Sequence, residues 1–324
     1  MRKISNLRHG GIMVNYECNA ACRHCLYACS PDRSGGYISQ KNAEELCKLL
    51  DKAGCHSVHI GGGEPFLDFD GLIMVLETAK KYGIQVEYIE TNGFWAAESE
   101  KAKQYLKALL KVGADTLCIS LDPFHAEYVP FALPLELTKI CRETGFGYFL
   151  WQERFLHSLA QVAPNKPHNR TALEEQISPS YIIDTANRYG IGIGGRAVNI
   201  EMEYGKAKPT EALASNSSCR KLMSTDHFHV DLNVNFIPPG CTGFVIPLAE
   251  LIDGLKDGKY QAYEALLSGG VAALLEYAKG KGFVPKAEYT SSCTMCFFIR
   301  KWLSENANCP ELDKEHYTAS LEYY

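Results

Sequence analysis

The chain has 324 residues, a formal net charge of -5, 46% hydrophobic residues and 22% charged residues. That balance is ordinary for a globular protein and argues against a general nucleic-acid or membrane-surface binder, each of which needs a basic face. The sequence has no apolar run long enough for a membrane span, and the start, MRKISNLRHGGIMV, makes a poor signal peptide, so the expected location is cytoplasmic.

In chain order, residues 10–17 (GGIMVNYE) read as a short apolar strand. Residues 39–54 read as a helix, with Ser39 as N-cap and Gly54 as terminator. HSVHIGGGEP is a strand running into a glycine turn. FDGLIMVLETAKKYG, ESEKAKQYLKALLKVG and LPLELTKICRETG are helices that alternate with the strands IQVEYIETNG, DTLCISLD and FGYFLWQ. Residues 155–178 lack periodicity and read as a long surface loop, a candidate lid. SPSYIIDTANRYG is then a helix and IGIGGRAVNI a sixth strand.

Short apolar strands alternating with helices imply an α/β fold with parallel strands and right-handed crossovers. The six units make either an open doubly wound sheet or a partial (β/α)6 barrel, and in both a ligand site lies at the C-terminal strand ends. After residue 200 the alternation stops. DHFHVDLNVNFIPPGC reads as a β-hairpin and residues 245–282 as helices. A boundary is expected near 205–215, giving units 1–205 and 206–324.

Thirteen cysteines are many for a chain without an export signal, and a disulfide framework is unexpected in a chain of this length. Metal or redox use is the better reading, because the cysteines gather at both ends of the chain. Cys18, Cys22 and Cys25 follow the first strand with spacing C-x3-C-x2-C, and Cys29 comes four residues later. GGGEPFL ends the second strand, ETNG the third and SLD the fourth. Together these motifs resemble the radical S-adenosylmethionine (radical SAM) superfamily.

The resemblance implies three cysteine ligands on a [4Fe–4S] cluster, Cys18, Cys22 and Cys25, with the fourth iron left for SAM and Cys29 a bystander just beyond the loop. An open coordination position is what a reactive metal site needs. The rival is a ferredoxin-like electron carrier without SAM chemistry, which loosely shares Cys22, Cys25, Cys29 and a following proline but has the wrong first spacing. A zinc site is a third reading. By resemblance, His24 faces the adenine, Gly62, Gly63 and Glu64 receive the SAM ammonium, and Asn92 and Ser120 serve its ribose and carboxylate. Arg196 is a candidate for the SAM carboxylate or for a structural salt bridge. Gly190, Gly192 and Gly195 satisfy G-x-G-x-x-G, but no helix is expected to open there, so dinucleotide binding is rejected.

Beyond the barrel, Cys219, Cys241, Cys293, Cys296 and Cys309 are similar in arrangement to the twitch domain, a smaller relative of the SPASM domain. The resemblance implies one auxiliary [4Fe–4S] cluster on Cys219, Cys241, Cys293 and Cys296, with Cys309 as an alternative to Cys219 and zinc as the competing metal. Cys47, Cys55, Cys118 and Cys141 read as core thiols. His125 is the candidate catalytic proton acceptor. His227 and His229 share a strand face, either as a metal pair or as hairpin packing. The implied partners are a low-potential electron donor (flavodoxin or ferredoxin) and a substrate that is a peptide or a small molecule. The implied net chemistry is an oxidative modification. A first strand near residue 10 leaves no N-terminal recognition domain, which weighs against a peptide, and no cobalamin domain is expected.

Overall fold

The computed structural model describes residues 3–214 and 217–323. The elements are β1 (His9–Met13), α1 (Gln40–Lys52), β2 (Ser57–Gly61), α2 (Phe69–Lys81), β3 (Gln85–Thr91), α3 (Ser99–Val112), β4 (Thr116–Ser120), α4 (Pro123–Ala126), α5 (Ala132–Thr144) and β5 (Gly147–Trp151). There follow α6 (Leu156–Leu159), α7 (Arg170–Gln176), α8 (Tyr181–Tyr189), α9 (Ala197–Tyr204), β6 (Lys208–Pro209), α10 (Thr210–Leu213), β7 (Asp226–Val230), β8 (Asn235–Ile237) and β9 (Ile246–Pro247). The chain ends with α11 (Leu248–Asp253), α12 (Gln261–Lys279), β10 (Glu288–Tyr289), α13 (Ser292–Asn306) and α14 (Lys314–Leu321).

Local signals set the helix ends. Ser39 caps α1 by accepting from the Asn42 N–H, and Asp68 caps α2 by accepting from the Gly71 N–H. Gly113 and Gly145 end α3 and α5 in the left-handed conformation. Apolar residues on one face of β1–β4, namely Ile12, Val58, Ile60, Ile89, Leu117 and Ile119, are buried in one core with Leu46, Leu50, Leu72, Leu106 and Leu137 of the helices. The other face alternates with it. It carries Gly11, His59, Tyr88, Glu90, Cys118, Ser120, Phe149 and Trp151, and it lines the lumen of an open, curved sheet. A second cluster, with Leu121, Phe124, Tyr181, Ile182 and Ile200, covers the C-terminal strand ends.

The α/β class and the parallel strands are as expected, but the sixth strand is not. Strand order is β5-β4-β3-β2-β1-β7-β8-β9. The place beside β1 is taken by β7, parallel to it, from beyond the expected boundary at 205/206. The segment IGIGGRAVNI holds no strand. Residues 191–196 are irregular and Ala197 begins α9. Its glycines and its adhesion to the cysteine loop, described below, outweigh its apolar alternation. The stretch 155–178, expected to be structureless, contains α6 and α7. The expected C-terminal hairpin is β7–β8, and it extends the main sheet.

Candidate active site

β1 runs into the loop that carries the four N-terminal cysteines. The loop closes on itself through Cys18 N–H to Ser30 O at 3.1 Å and Cys25 N–H to Cys22 O at 3.1 Å. Arg196 holds it from outside. Its Nε donates to Cys22 O at 3.0 Å, its Nη2 donates to Cys29 O, and its backbone N–H donates to Cys25 O at 3.0 Å. Arg196 is therefore a fully buried clamp on the loop carbonyls at the entry of α9. It is neither at a strand end nor in a carboxylate salt bridge. Gly195 permits this contact, since a Cβ there would stand 2.3 Å from the carbonyl oxygens of Cys25 and Leu26.

The thiols sit in unlike surroundings. The Cys18 sulfur accepts the Ala20 N–H at 3.4 Å, and Asn92, which donates to Asn19 Oδ1 at 2.8 Å, lies against it. Cys22 is buried against His125. Cys29 is buried, its thiol bonds to Cys25, and Cys18 is close enough to act on it electrostatically. That hydrogen bond draws Cys25 down to about 5 against the effect of burial, and the Arg196 charge assists.

The glycine turn after β2 is docked on the start of the same loop. Gly63 N–H donates to Asn15 O at 2.8 Å, and a Cβ on Gly63 would lie 1.9 Å from Glu17 O. Gly62 packs likewise on Asn15. Glu64 is 1% exposed. Its carboxylate accepts from Asn92 N–H at 2.7 Å, Thr91 Oγ1 at 2.9 Å and Phe66 N–H at 3.2 Å. Burial still pushes it up to about 7. Two carboxylate oxygens offer about four acceptor directions, so one remains for a ligand donor. Ser120 ends β4 opposite Trp151, half-buried.

Asp122 is the residue the motif reading passed over. It is fully buried, caps α4 through the N–H groups of Phe124 and His125, and meets His125 Nδ1 at 2.6 Å. Burial raises its pKa, but His125 outweighs burial and holds it at about 2. His125 is in turn held well above its ordinary value, by Asp122 and then Cys22, against desolvation. Asp122 thus favours the charged form of His125, the candidate proton acceptor. The sequence signal was Asp before Pro at a helix entry. His24 is buried among Phe124 at 5.0 Å, His125 at 5.2 Å and Tyr189 at 4.7 Å, and burial lowers it to about 4.

His24 Nδ1 and Arg196 Nη1 are buried with no hydrogen-bond partner. Buried polar atoms of this kind call for a partner. Four thiols and two orphaned nitrogens around one loop suit a thiolate-held metal cluster with a small polar ligand beside it.

The comparisons with known proteins bear on the first half of the chain. Residues 12–150 match the model of the Radical SAM superfamily. These residues are a radical SAM domain. The chain is 30% identical over 118 residues to a putative peptide biosynthesis protein YydG of Bacillus subtilis. It is 34% identical over 121 residues to a GTP 3',8-cyclase of Limosilactobacillus fermentum. The matched region is 36% of this chain in both cases, and it spans about a third of those relatives, 37% and 34% of their lengths. Among solved structures, native anSMEcpe with bound AdoMet is 13% identical, covering 98% of this chain and 96% of that one, with a TM-score of 0.42. Streptococcus suis SuiB bound to precursor peptide SuiA is 15% identical, covering 83% and 71%, with a TM-score of 0.36.

All the expected site residues up to Ser120 lie in the radical SAM domain, and Arg196 reaches it from outside. The second cysteine group is separate. Cys219, Cys241, Cys293 and Cys296 interact with one another electrostatically, and burial raises Cys296 to about 12. Arg300 counters that rise, packed over the rings of Phe244 at 4.7 Å and Tyr317 at 5.5 Å and donating to Thr242 O at 2.8 Å. Cys293, Cys296 and Arg300 are spaced i, i+3 and i+7 on α13, hence on one face. Cys309 stands apart, 3.7 Å from the Tyr277 hydroxyl. Of the four expected core thiols, Cys47, Cys55 and Cys141 lie in the outer core, whereas Cys118 lies on the lumen face opposite Glu90. No helix among the described residues is long and apolar enough to cross a membrane.

Proposed function

We propose that this chain is a radical SAM enzyme that makes a net oxidative modification to a peptide. In this reading Cys18, Cys22 and Cys25 hold a [4Fe–4S] cluster, and Glu64, Asn92, Ser120 and His24 contact SAM. Bound there, cluster and SAM would supply one electron to the sulfonium and a 5'-deoxyadenosyl radical that removes a hydrogen atom from substrate. The protein's own part is positional. Arg196 and Gly195 fix the loop carbonyls, Asn15 fixes the glycine turn, and Glu64 keeps one acceptor direction free at the strand ends. The imidazole of the His125–Asp122 pair lies beside Cys22, where it opposes the effect of burial on that thiol.

The observation that carries the substrate class is the lumen. Its strand positions are His59, Tyr88, Glu90, Cys118, Ser120, Phe149, Trp151, His227 and His229, without a lysine or arginine. Phe149 and Trp151 are exposed on the outermost strand, β5, which pairs on one side alone. An aromatic wall beside an open strand edge suits an extended peptide. The name of the Bacillus subtilis relative agrees with this. A nucleoside triphosphate, the second reading suggested by the GTP 3',8-cyclase relatives, needs cations that this lumen lacks. The second cysteine group would hold one auxiliary cluster that takes up the electron left on the oxidised substrate. A flavodoxin or ferredoxin would supply the first electron.

The test is anaerobic reconstitution, reduction and assay of 5'-deoxyadenosine by chromatography. Candidate peptides encoded beside the gene, or GTP, are added in turn. The expected result is SAM cleavage that a peptide stimulates and GTP does not. Stimulation by GTP alone would favour the second reading. Absence of 5'-deoxyadenosine under all conditions would leave the ferredoxin-like alternative standing.

A further inference from the structure

We propose that His59, His227 and His229 form a binding site for a first-row divalent transition metal, zinc foremost, in the lumen below the cysteine loop. Sequence spacing joined His227 and His229, but the third member comes from another strand. His59 on β2 and His229 on β7 are the cross-strand partners of one residue of β1, Gly11. Because that residue has no side chain, the two rings meet across it. A Cβ at Gly11 would fall 2.3 Å from His59 Nε2 and 2.7 Å from His229 Nε2. His227 joins them through an irregularity in the strand. The β1–β7 register shifts between His9 and Gly10, and His227 has a φ of +56°. A bulge re-aims a side chain, and a left-handed backbone at a residue other than glycine costs free energy that the surroundings must offset.

The result is three imidazoles from two strands with one ligand atom each, all within 4.8 Å of one another. His59 Nε2 and His229 Nε2 are 3.0 Å apart. Two nitrogens on one tetrahedral zinc, each bonded at about 2.0–2.1 Å, stand roughly 3.3 Å apart, so the two rings already have the required span. The Tyr88 ring lies flat on His59 at 4.9 Å and fixes its plane. Glu90 Oε1 is 3.8 Å from His59 Nε2 and supplies negative charge beside three neutral ligands. His59 and His229 are buried and His227 is exposed, so the site is walled on one side and open on the other. Three histidines with an open position make a metal centre that takes water or a substrate oxygen as its fourth ligand. Tyr27, two residues after Cys25, has its ring 5.4 Å from His229, so the site lies one ring away from the cysteine loop. The competing account of the 3.0 Å contact is a hydrogen bond between two imidazoles with no metal.

The experiment uses the full chain with its iron–sulfur sites loaded, so that the cluster cysteines do not compete, and adds zinc alone. The expected result is one zinc ion per chain beyond the iron content. Zinc K-edge absorption should show nitrogen or oxygen ligands at about 2.0–2.1 Å and no sulfur at about 2.3 Å. His59→Ala and His227→Ala should each weaken binding by at least about a hundredfold, the upper end for disturbing residues outside the ligand shell. His227 is exposed, so its variant decides the matter if His59→Ala does not fold. No zinc uptake, sulfur ligation, or a His227→Ala protein that binds zinc as the native chain does would each overturn the site.

Discussion

The two cysteine groups are built in opposite ways. The N-terminal group lies within a single loop of twelve residues, and the thiols differ from one another. Cys25 is drawn down to about 5 by the Cys29 hydrogen bond, and Cys22 faces His125, whose charged form Asp122 favours. The C-terminal group collects thiols from three separated segments, and burial lifts Cys296 to about 12. Each group has one buried arginine, used differently. Arg196 clamps carbonyls and so shapes its loop, whereas Arg300 lies on rings and offsets the charge of the thiols. A site that must admit a ligand needs its loop held rigid and one side left open. A site closed by four thiols needs its charge balanced inside the protein.

The sharpest division between the groups comes from Cys293→Ala combined with Cys296→Ala. SAM cleavage should persist within a few-fold while product formation falls to background, read by chromatography and by mass spectrometry of the substrate. Full product from this variant would make the second site structural only. Next in size, Arg196→Met removes a charged donor from two loop carbonyls. We expect a loss of ~3 kcal/mol in unfolding free energy and a loss of the N-terminal iron, while Arg300→Met should spare that iron. Iron analysis and denaturant melts separate the two.

A smaller effect concerns His316 of α14, which bonds to Thr242 Oγ1 at 3.1 Å beside Cys241. Burial, with the charges of Arg33 and Arg300, holds it well below its ordinary 6.5. The folded chain keeps this ring neutral while the unfolded chain protonates it. Its contribution is therefore fully present above about pH 6.5 and is lost as pH falls below that. His316→Phe should flatten the acid limb of the stability–pH curve by up to one proton, about 1.4 kcal/mol per pH unit. An unchanged slope would mean that the ring titrates freely. The smallest effect is expected for Cys29→Ala, which should keep the N-terminal iron and SAM cleavage within a few-fold and raise the Cys25 pKa. Loss of that iron would make Cys29 a ligand and bring the two groups closer in kind.

Much of the first site was legible because its residues are neighbours in sequence. Spacing isolates the cysteine cluster, the family resemblance implies Cys18, Cys22 and Cys25 within it, and glycines before Glu64 mark a close approach that the contact with Glu17 explains. Asp122 was half-legible, as a cap before proline. Arg196 was picked out, but its hold on the cysteine loop was not. Its segment looked like a strand because Ile191 and Ile193 alternate with glycines, yet those glycines let the chain lie on the carbonyls of another loop.

What the sequence determined by itself is therefore local: the helices with their caps, the alternation of helices with the parallel strands β1 to β5, and the cysteine loop with its metal-binding spacing. These follow from periodicity and short-range hydrogen bonding, which act over a few residues. Only the tertiary structure decided that β7 rather than residues 191–200 lies beside β1, that Arg196 closes the cysteine loop, and that His59 meets His227 and His229 across Gly11. Those outcomes depend on which distant surfaces can approach each other, and a missing side chain sets that approach as much as a present one.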